Sequence, residues 1–152
     1  MAVEIERKFL VVGDDWRTEQ PVYYSQGYLN THMDRTVRVR IAGECAYLTI
    51  KAFVNHTNRL EFEYSIPVAD AQQLLPLCEQ PPVEKKRHRV AFAGFEWEVD
   101  EFLGENLGLV VAEIELESSD QPFEKPGWVG QEVTDQPQYL NSQLAKRPFS
   151  SW

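Results

Sequence analysis

Glu4, Glu6 and Lys8 alternate with Val3, Ile5, Arg7 and Phe9 near the start of the chain, and a period of two puts all three on one face of a β-strand. Side chains two residues apart on a strand stand about 7 Å apart at the backbone. Two carboxylates can therefore converge on one Mg²⁺ while the lysine reaches an anion bound to that ion. Faces of this kind recur as Arg38/Arg40, Tyr47/Thr49/Lys51, Arg59/Glu61/Glu63, Lys85/Arg87/Arg89, Glu96/Glu98/Asp100 and Glu113/Glu115/Glu117. The alternate positions are largely apolar, as in Val37/Val39/Ile41, Leu60/Phe62/Tyr64, Phe95/Trp97/Val99 and Ile114/Leu116.

For any one strand, the ordinary reading of such a pattern is a solvated outer face over an apolar core. The segregation of sign argues against it here. Surface charges are usually interspersed, because like charges side by side on a sheet repel, whereas several of these strands carry two or three acids on one face and others two or three bases. The arrangement makes sense if the faces line one wet cavity. Acids there would hold divalent cations, and bases would hold the phosphates those cations bridge.

The elements needed to build such a cavity are visible as period-two stretches at 3–11, 22–30, 35–42, 45–53, 58–67, 83–92, 95–101 and 109–117, with turn residues such as Gly43 and Gly94 between them. Eight strands predict a mainly β (α+β) fold, an eight-stranded antiparallel barrel whose lumen suits one small ligand. The barrel is inverted, polar inside, with apolar outer faces covered by a few peripheral helices, by loops and by a possible second subunit. A short helix is expected over Ala69–Cys78, curtailed by Pro76, and a terminal one over Tyr139–Lys146. Ser118–Gly130, with Pro122, Pro126 and Gly127, reads as a loop closed by Trp128 packing back on the barrel.

With 152 residues and 43% hydrophobic content, residues 1–152 read as one domain, long enough for a core without disulfides. The net charge of -9 argues against nucleic acid or an anionic membrane as partner. A polyanionic substrate needs its positive charge concentrated locally. Cys45 and Cys78 are too few and too isolated for a disulfide framework, and charges at positions 4, 6, 7 and 8 occupy the place of a signal peptide's apolar region. A cytoplasmic protein is expected. Trp16, Trp97, Trp128 and Trp152 read as core or interface residues, and His32 and His88 as surface histidines.

In order along the chain stand Glu4-x-Glu6-x-Lys8, Gln26-Gly27-Tyr28-Leu29, Arg38-x-Arg40, Lys51, Glu61-x-Glu63, Lys85-x-Arg87, Asp100 and Glu113-x-Glu115. Together they resemble the CYTH proteins, or triphosphate tunnel metalloenzymes, and among them the short bacterial inorganic triphosphatases. The resemblance runs to Asn141. It implies a tunnel that binds triphosphate with Mg²⁺ or Mn²⁺. Glu4, Glu6, Glu113 and Glu115 would hold the principal metal, and Glu61, Glu63 and Asp100 would hold a second metal or orient its waters. Lys8, Arg38, Arg40, Lys51, Lys85 and Arg87 would clamp the phosphates. Oxygen ligands alone suit Mg²⁺ or Mn²⁺ and disfavour zinc. The C-terminal run Glu132 to Asn141 departs from the family's usual pattern, with Gln138 standing where arginine is expected and Pro137 shortening the helix after it.

Triphosphate hydrolysis needs in-line attack by water and neutralisation of phosphate charge, with little covalent work for the protein. Lys8 is the candidate general base, made neutral by neighbouring cations, with Tyr28 on the next strand orienting either Lys8 or the attacked phosphate. A metal-bound hydroxide without a protein base is the competing route. An adenylate cyclase sharing this fold would also need an adenine pocket, which nothing marks, and thiamine triphosphatase would need aromatic stacking at the mouth. A non-catalytic polyphosphate-binding module would need the basic face but not the acids.

Overall fold

In a computed structural model, which describes residues 3–152, strands form where the alternation demands them. They are β1 (Val3–Val11), β2 (Val22–Asn30), β3 (Thr36–Ala42), β4 (Cys45–Phe53), β5 (Asn58–Ile66), β6 (Val83–Phe92), β7 (Phe95–Phe102), β8 (Val110–Glu115) and β9 (Val129–Glu132). All pairings are antiparallel. The strands run β5-β4-β3-β2-β6-β7-β8-β1, and β1 pairs back with β5 through Val3–Ile5, closing an eight-stranded barrel. Between β6 and β7 the chain turns at Ala93 and Gly94, both with positive φ (49° and 84°), the twist that suits a two-residue hairpin.

Strand β9 is a difference from the sequence reading, which took residues up to Gly130 as loop. Phe9 opposes Ala112 of β8 on one side and Glu132 of β9 on the other. Thus β9 lies along the edge of β1 that β5 leaves free. The expected helices divide at prolines: α1 (Val68–Leu74) gives way to a 3-10 turn at Leu75–Leu77, and a 3-10 turn at Pro137–Tyr139 precedes α2 (Asn141–Lys146).

Three apolar clusters hold the barrel. Phe9, Trp97, Ile114 and Leu116 face outward and are covered by Trp16 and Trp128 from the connecting loops. Trp97 meets Phe9 and Trp128 edge-on, with centroids 5.6 and 5.7 Å apart, the geometry that ring quadrupoles favour. Helix α1 covers Val39 and Ala46 with Ala71. A Cβ at Gly27 would lie 2.7 Å from Cys78 Sγ, so only glycine lets the chain after α1 seat against β2.

The third cluster lies inside. Val83, Phe102 and Val111 pack with Leu144 of α2, and each sits two residues from a charged lumen residue, Lys85, Asp100 and Glu113. Period two therefore points them into the barrel. One end of the lumen is apolar, and α2 closes it like a plug.

His88 corrects the reading of a surface histidine: it is 1% exposed, because the loop after β1 lays Trp16 across it, with ring centroids 5.1 Å apart. The Thr18 backbone N–H donates to Nδ1 over 3.0 Å, which leaves the Nε2 proton for Glu101 Oε1 at 3.2 Å. His32 is exposed. Among the described residues no helix is long and apolar enough to cross a membrane.

Candidate active site

The barrel encloses a cavity of about 450 Å³. The even positions of β1, β3 and β7, and the odd ones of β4, β5, β6 and β8, turn their charged side chains toward it, and register sets which groups meet. Lys8 stands opposite Glu113, Glu6 opposite Glu115, Lys51 opposite Glu61 and Arg87 opposite Asp100. Glu4, Glu6, Lys8, Tyr28, Arg38, Arg40, Lys51, Glu61, Glu63, Lys85, Arg87 and Glu113 all line the cavity. Asp100 is buried behind the lining at 1% exposure, and Glu115 is exposed at the end of β8.

Charge within the cavity is divided. On one side Arg38, Arg40, Lys85 and Arg87 crowd together. Burial, then Arg38 and Arg87, push the Arg40 guanidinium down to about 9. Burial pushes Lys85 down to about 7 despite Asp100 at 2.7 Å, because Arg87 and Arg40 crowd it too. Burial works against the Asp100 carboxylate, yet Arg87 and Lys85 outweigh it and hold Asp100 far below the usual carboxylate range. Arg87 grips it with Nε at 2.8 Å and Nη2 at 2.9 Å. The Tyr24 ring lies beneath Arg40 and Arg87, with Cζ 4.8 and 4.7 Å from its centroid. Arg38 gives Nη2 to Thr49 (3.1 Å) and Glu63 (3.3 Å), while its Nε is buried and has no partner among the described residues. This side carries more cation than the protein neutralises, which suits a polyanion.

On the other side the acids gather. Glu6 is pushed up to about 8 by burial, then by Glu113 and Glu4, against the pull of Lys51 and Lys8. Burial, Glu4 and Glu61 raise Glu115 as well. Lys51 Nζ lies 3.0 Å from Glu4 and 3.4 Å from Glu61. Lys8 Nζ lies 3.7 Å from Glu113, and although burial opposes it, Lys8, Arg87 and Lys85 draw Glu113 down to about 2. Among the described residues no three His, Cys, Asp or Glu side chains already converge as a metal cage, because lysines and arginines occupy the spaces between carboxylates. The donor set still fits a hard divalent cation: it is all oxygen, and Glu6 sits in like-charge repulsion that such a cation would relieve.

Tyr28 is not beside Lys8 in the sheet, since β2 pairs with β3 and β6, not β1. Its hydroxyl instead accepts from Gln26 Nε2 at 3.0 Å. Gln138 is exposed and donates from Nε2 to Gln136 Oε1 over 3.3 Å. Arg7 is held instead by Glu132, at 2.6 and 2.8 Å. Tyr24, Glu98 and Asn141 line the cavity and Gln26 is buried in its wall, yet the reading of the chain gave none of them a site role. Tyr24 and Gln26 share a strand face with Tyr28, a signal that period two supplies; Asn141 arrives on the plug helix, and no local pattern announces it.

An inverted closed barrel with a divided, ligand-sized charged cavity defines a class of protein that binds a polyanion together with cations. This chain belongs to the CYTH domain family, whose model matches residues 2–147. It is 50% identical over its whole length to an inorganic triphosphatase of Acetivibrio thermocellus, covering 99% of that protein. It is 37% identical to an inorganic triphosphatase of Nitrosomonas europaea over 93% of this chain and 96% of that one. A solved inorganic triphosphatase superimposes with a TM-score of 0.68 over 95% of both chains at 36% identity.

Proposed function

We propose that this protein hydrolyses inorganic triphosphate to pyrophosphate and phosphate with Mg²⁺ or Mn²⁺ bound. The observation that carries the reading is the division of the cavity into a cation-rich side, with Arg40 and Lys85 held below their ordinary values, and an acid-rich side, with Glu6 held above its own. A metal–triphosphate complex neutralises both at once. The names of the two curated relatives point to the same substrate.

Glu4, Glu6, Glu113 and Glu115 would hold the principal metal, with Glu61 and Glu63 beside a second. Bound there, the metal supplies Lewis-acid neutralisation of phosphate oxygens. Lys8, Arg38, Arg40, Lys51, Lys85 and Arg87 bind the phosphate chain, and the unpartnered Arg38 Nε offers it a ready donor. Asp100, with both oxygens taken by Arg87 and Lys85, orients the clamp rather than ligating metal. Lys8 stands at the border of the two halves, beside Glu113. There it would take the proton from the attacking water, while Tyr28 orients the attacked phosphate.

Two coarser features are part of the reading. The outer strip of Leu60, Phe62 and Tyr64 is exposed and apolar and would be covered in a homodimer. Cys45 and Cys78 are free thiols, in keeping with a cytoplasmic protein.

The test is phosphate release from triphosphate and from ATP with Mg²⁺, Mn²⁺ or chelator, for wild type and the Glu4→Ala/Glu6→Ala double variant. Metal-dependent hydrolysis of triphosphate, reduced in the variant by about 100-fold or more, is expected. Cyclic AMP and pyrophosphate from ATP, without triphosphate hydrolysis, would move the assignment to a cyclase. Chelator-insensitive binding without turnover would make the protein a polyphosphate-binding module.

A further inference from the structure

Gln26 is wholly buried in the wall of the cavity and ties β2, β3 and α2 together. Arg40 Nε on β3 donates to its Oε1 over 2.8 Å. Its Nε2 donates to Tyr28 Oη on the same strand and to Asn141 Oδ1 on α2, both over 3.0 Å. Asn141 Oδ1 also accepts from Lys85 Nζ at 2.8 Å. A four-membered relay thus connects two cations of the clamp through the residue that opens the plug helix.

The direction of every bond in this relay is forced. Arginine and lysine can only donate. Arg40 at one end therefore fixes which side of the Gln26 amide is oxygen, and Lys85 at the other fixes the oxygen of Asn141. Neither amide can flip without setting donor against donor. The Gln26 NH₂ group must then give its protons to Asn141 and Tyr28, so the Tyr28 oxygen is an acceptor on that side and its own proton lies elsewhere. Among the described residues that proton meets no acceptor, although Tyr28 is 6% exposed and lines the cavity.

We propose that Gln26 and Asn141 are positioning residues of the anion clamp. They fix Arg40 and Lys85 in place, and they hold the Tyr28 hydroxyl as a one-way donor to a phosphate oxygen in the cavity. The inference deepens the triphosphatase reading and rests on it for the identity of the anion. It also gives the plug helix a second duty: Asn141 ties the seating of α2 to the geometry of the clamp.

The test is a double-mutant cycle between Gln26→Glu and Tyr28→Phe, read as kcat and KM for triphosphate, with Asn141→Leu as a third variant. Gln26→Glu keeps the shape and the bond from Arg40 but replaces the amide donor by an acceptor, so Tyr28 turns its proton away from the cavity. In wild type, Tyr28→Phe should lower kcat/KM about tenfold, the scale of one hydrogen bond to a charged group. In the Gln26→Glu background the same change should cost less than about twofold. Asn141→Leu should raise KM about tenfold while kcat moves less, a split that mere loss of stability would not give.

Equal losses for Tyr28→Phe in the two backgrounds would overturn the proposal, as would wild-type kinetics in Gln26→Glu. Should Asn141→Leu fail to fold, the cycle decides alone. The same four proteins of the cycle are titrated with triphosphate in chelator by calorimetry. Binding in chelator by a wild type that releases no phosphate once Mg²⁺ or Mn²⁺ is supplied would defeat the triphosphatase reading and leave the cycle readable as affinities; no binding with or without metal would defeat both.

Discussion

At the scale of single residues, crowding by like charge and burial works against the charged forms of Glu6 on one side of the site and of Lys85 and Arg40 on the other. Glu6 binds its proton more tightly folded than unfolded, with a value raised from 4.5 to about 8. The sign comes from linkage: the stability this preference gives is complete below the unfolded value and is lost as pH rises toward the folded one. In chelator, wild type should lose melting temperature relative to Glu6→Gln between about pH 5 and pH 8, and Mg²⁺ or Mn²⁺ should close that gap. Thermal melts of both proteins across that range check it, and parallel curves would show that Glu6 is not under this repulsion. Most of these residues were readable in advance, because sign and spacing alone identify a face carrying Glu4, Glu6 and Lys8. Spacing leaves open which groups meet across the barrel, and so the placing of Asp100 between Arg87 and Lys85 rather than among the acids.

At the scale of elements, each strand has two jobs, with one face built for ligand and one for packing, and the loops and helices are there to cover the second. Trp16 and Trp128 come from segments without regular structure at their positions, yet both are buried against Phe9 and Trp97. The exception is α2, which meets the inner faces of β6, β7 and β8 through Leu144. Leu144 is completely buried, and Leu144→Ala should cost about 3 kcal/mol of unfolding free energy, with faster amide exchange in α2 ahead of the barrel. Denaturant titration measures the first and hydrogen exchange the second; a loss under about 1 kcal/mol would mean that the plug is not anchored there. The eight barrel strands were plain from alternation. Strand β9 was not, because four residues bordered by Pro126 and Gly127 carry too short a pattern to separate from loop.

At the scale of the whole molecule, turning a barrel inside out moves the apolar surface to the outside. Loops, α1 and β9 cover much of it, but β5 keeps Phe62 at 42% and Tyr64 at 56% exposure, flanked by Leu60 and by Ile50 of β4. A contiguous exposed apolar strip of this kind suits a second copy. Analytical ultracentrifugation should find a dimer that Phe62→Lys/Tyr64→Lys converts to monomer with triphosphate hydrolysis retained, since neither side chain faces the cavity. A monomeric wild type at high concentration would leave the strip without this partner. By itself the sequence determined the strands, the division of each into a charged and an apolar face, and the kinds of ion those charges could hold, because period two and the sign of a side chain are local properties. Only the tertiary structure decided that α2 stops one end of the lumen, that His88 is buried, and that Gln26 and Asn141 direct the protons of the clamp. Those depend on contacts between residues as much as 115 positions apart, and no local pattern encodes which distant donor will meet which acceptor.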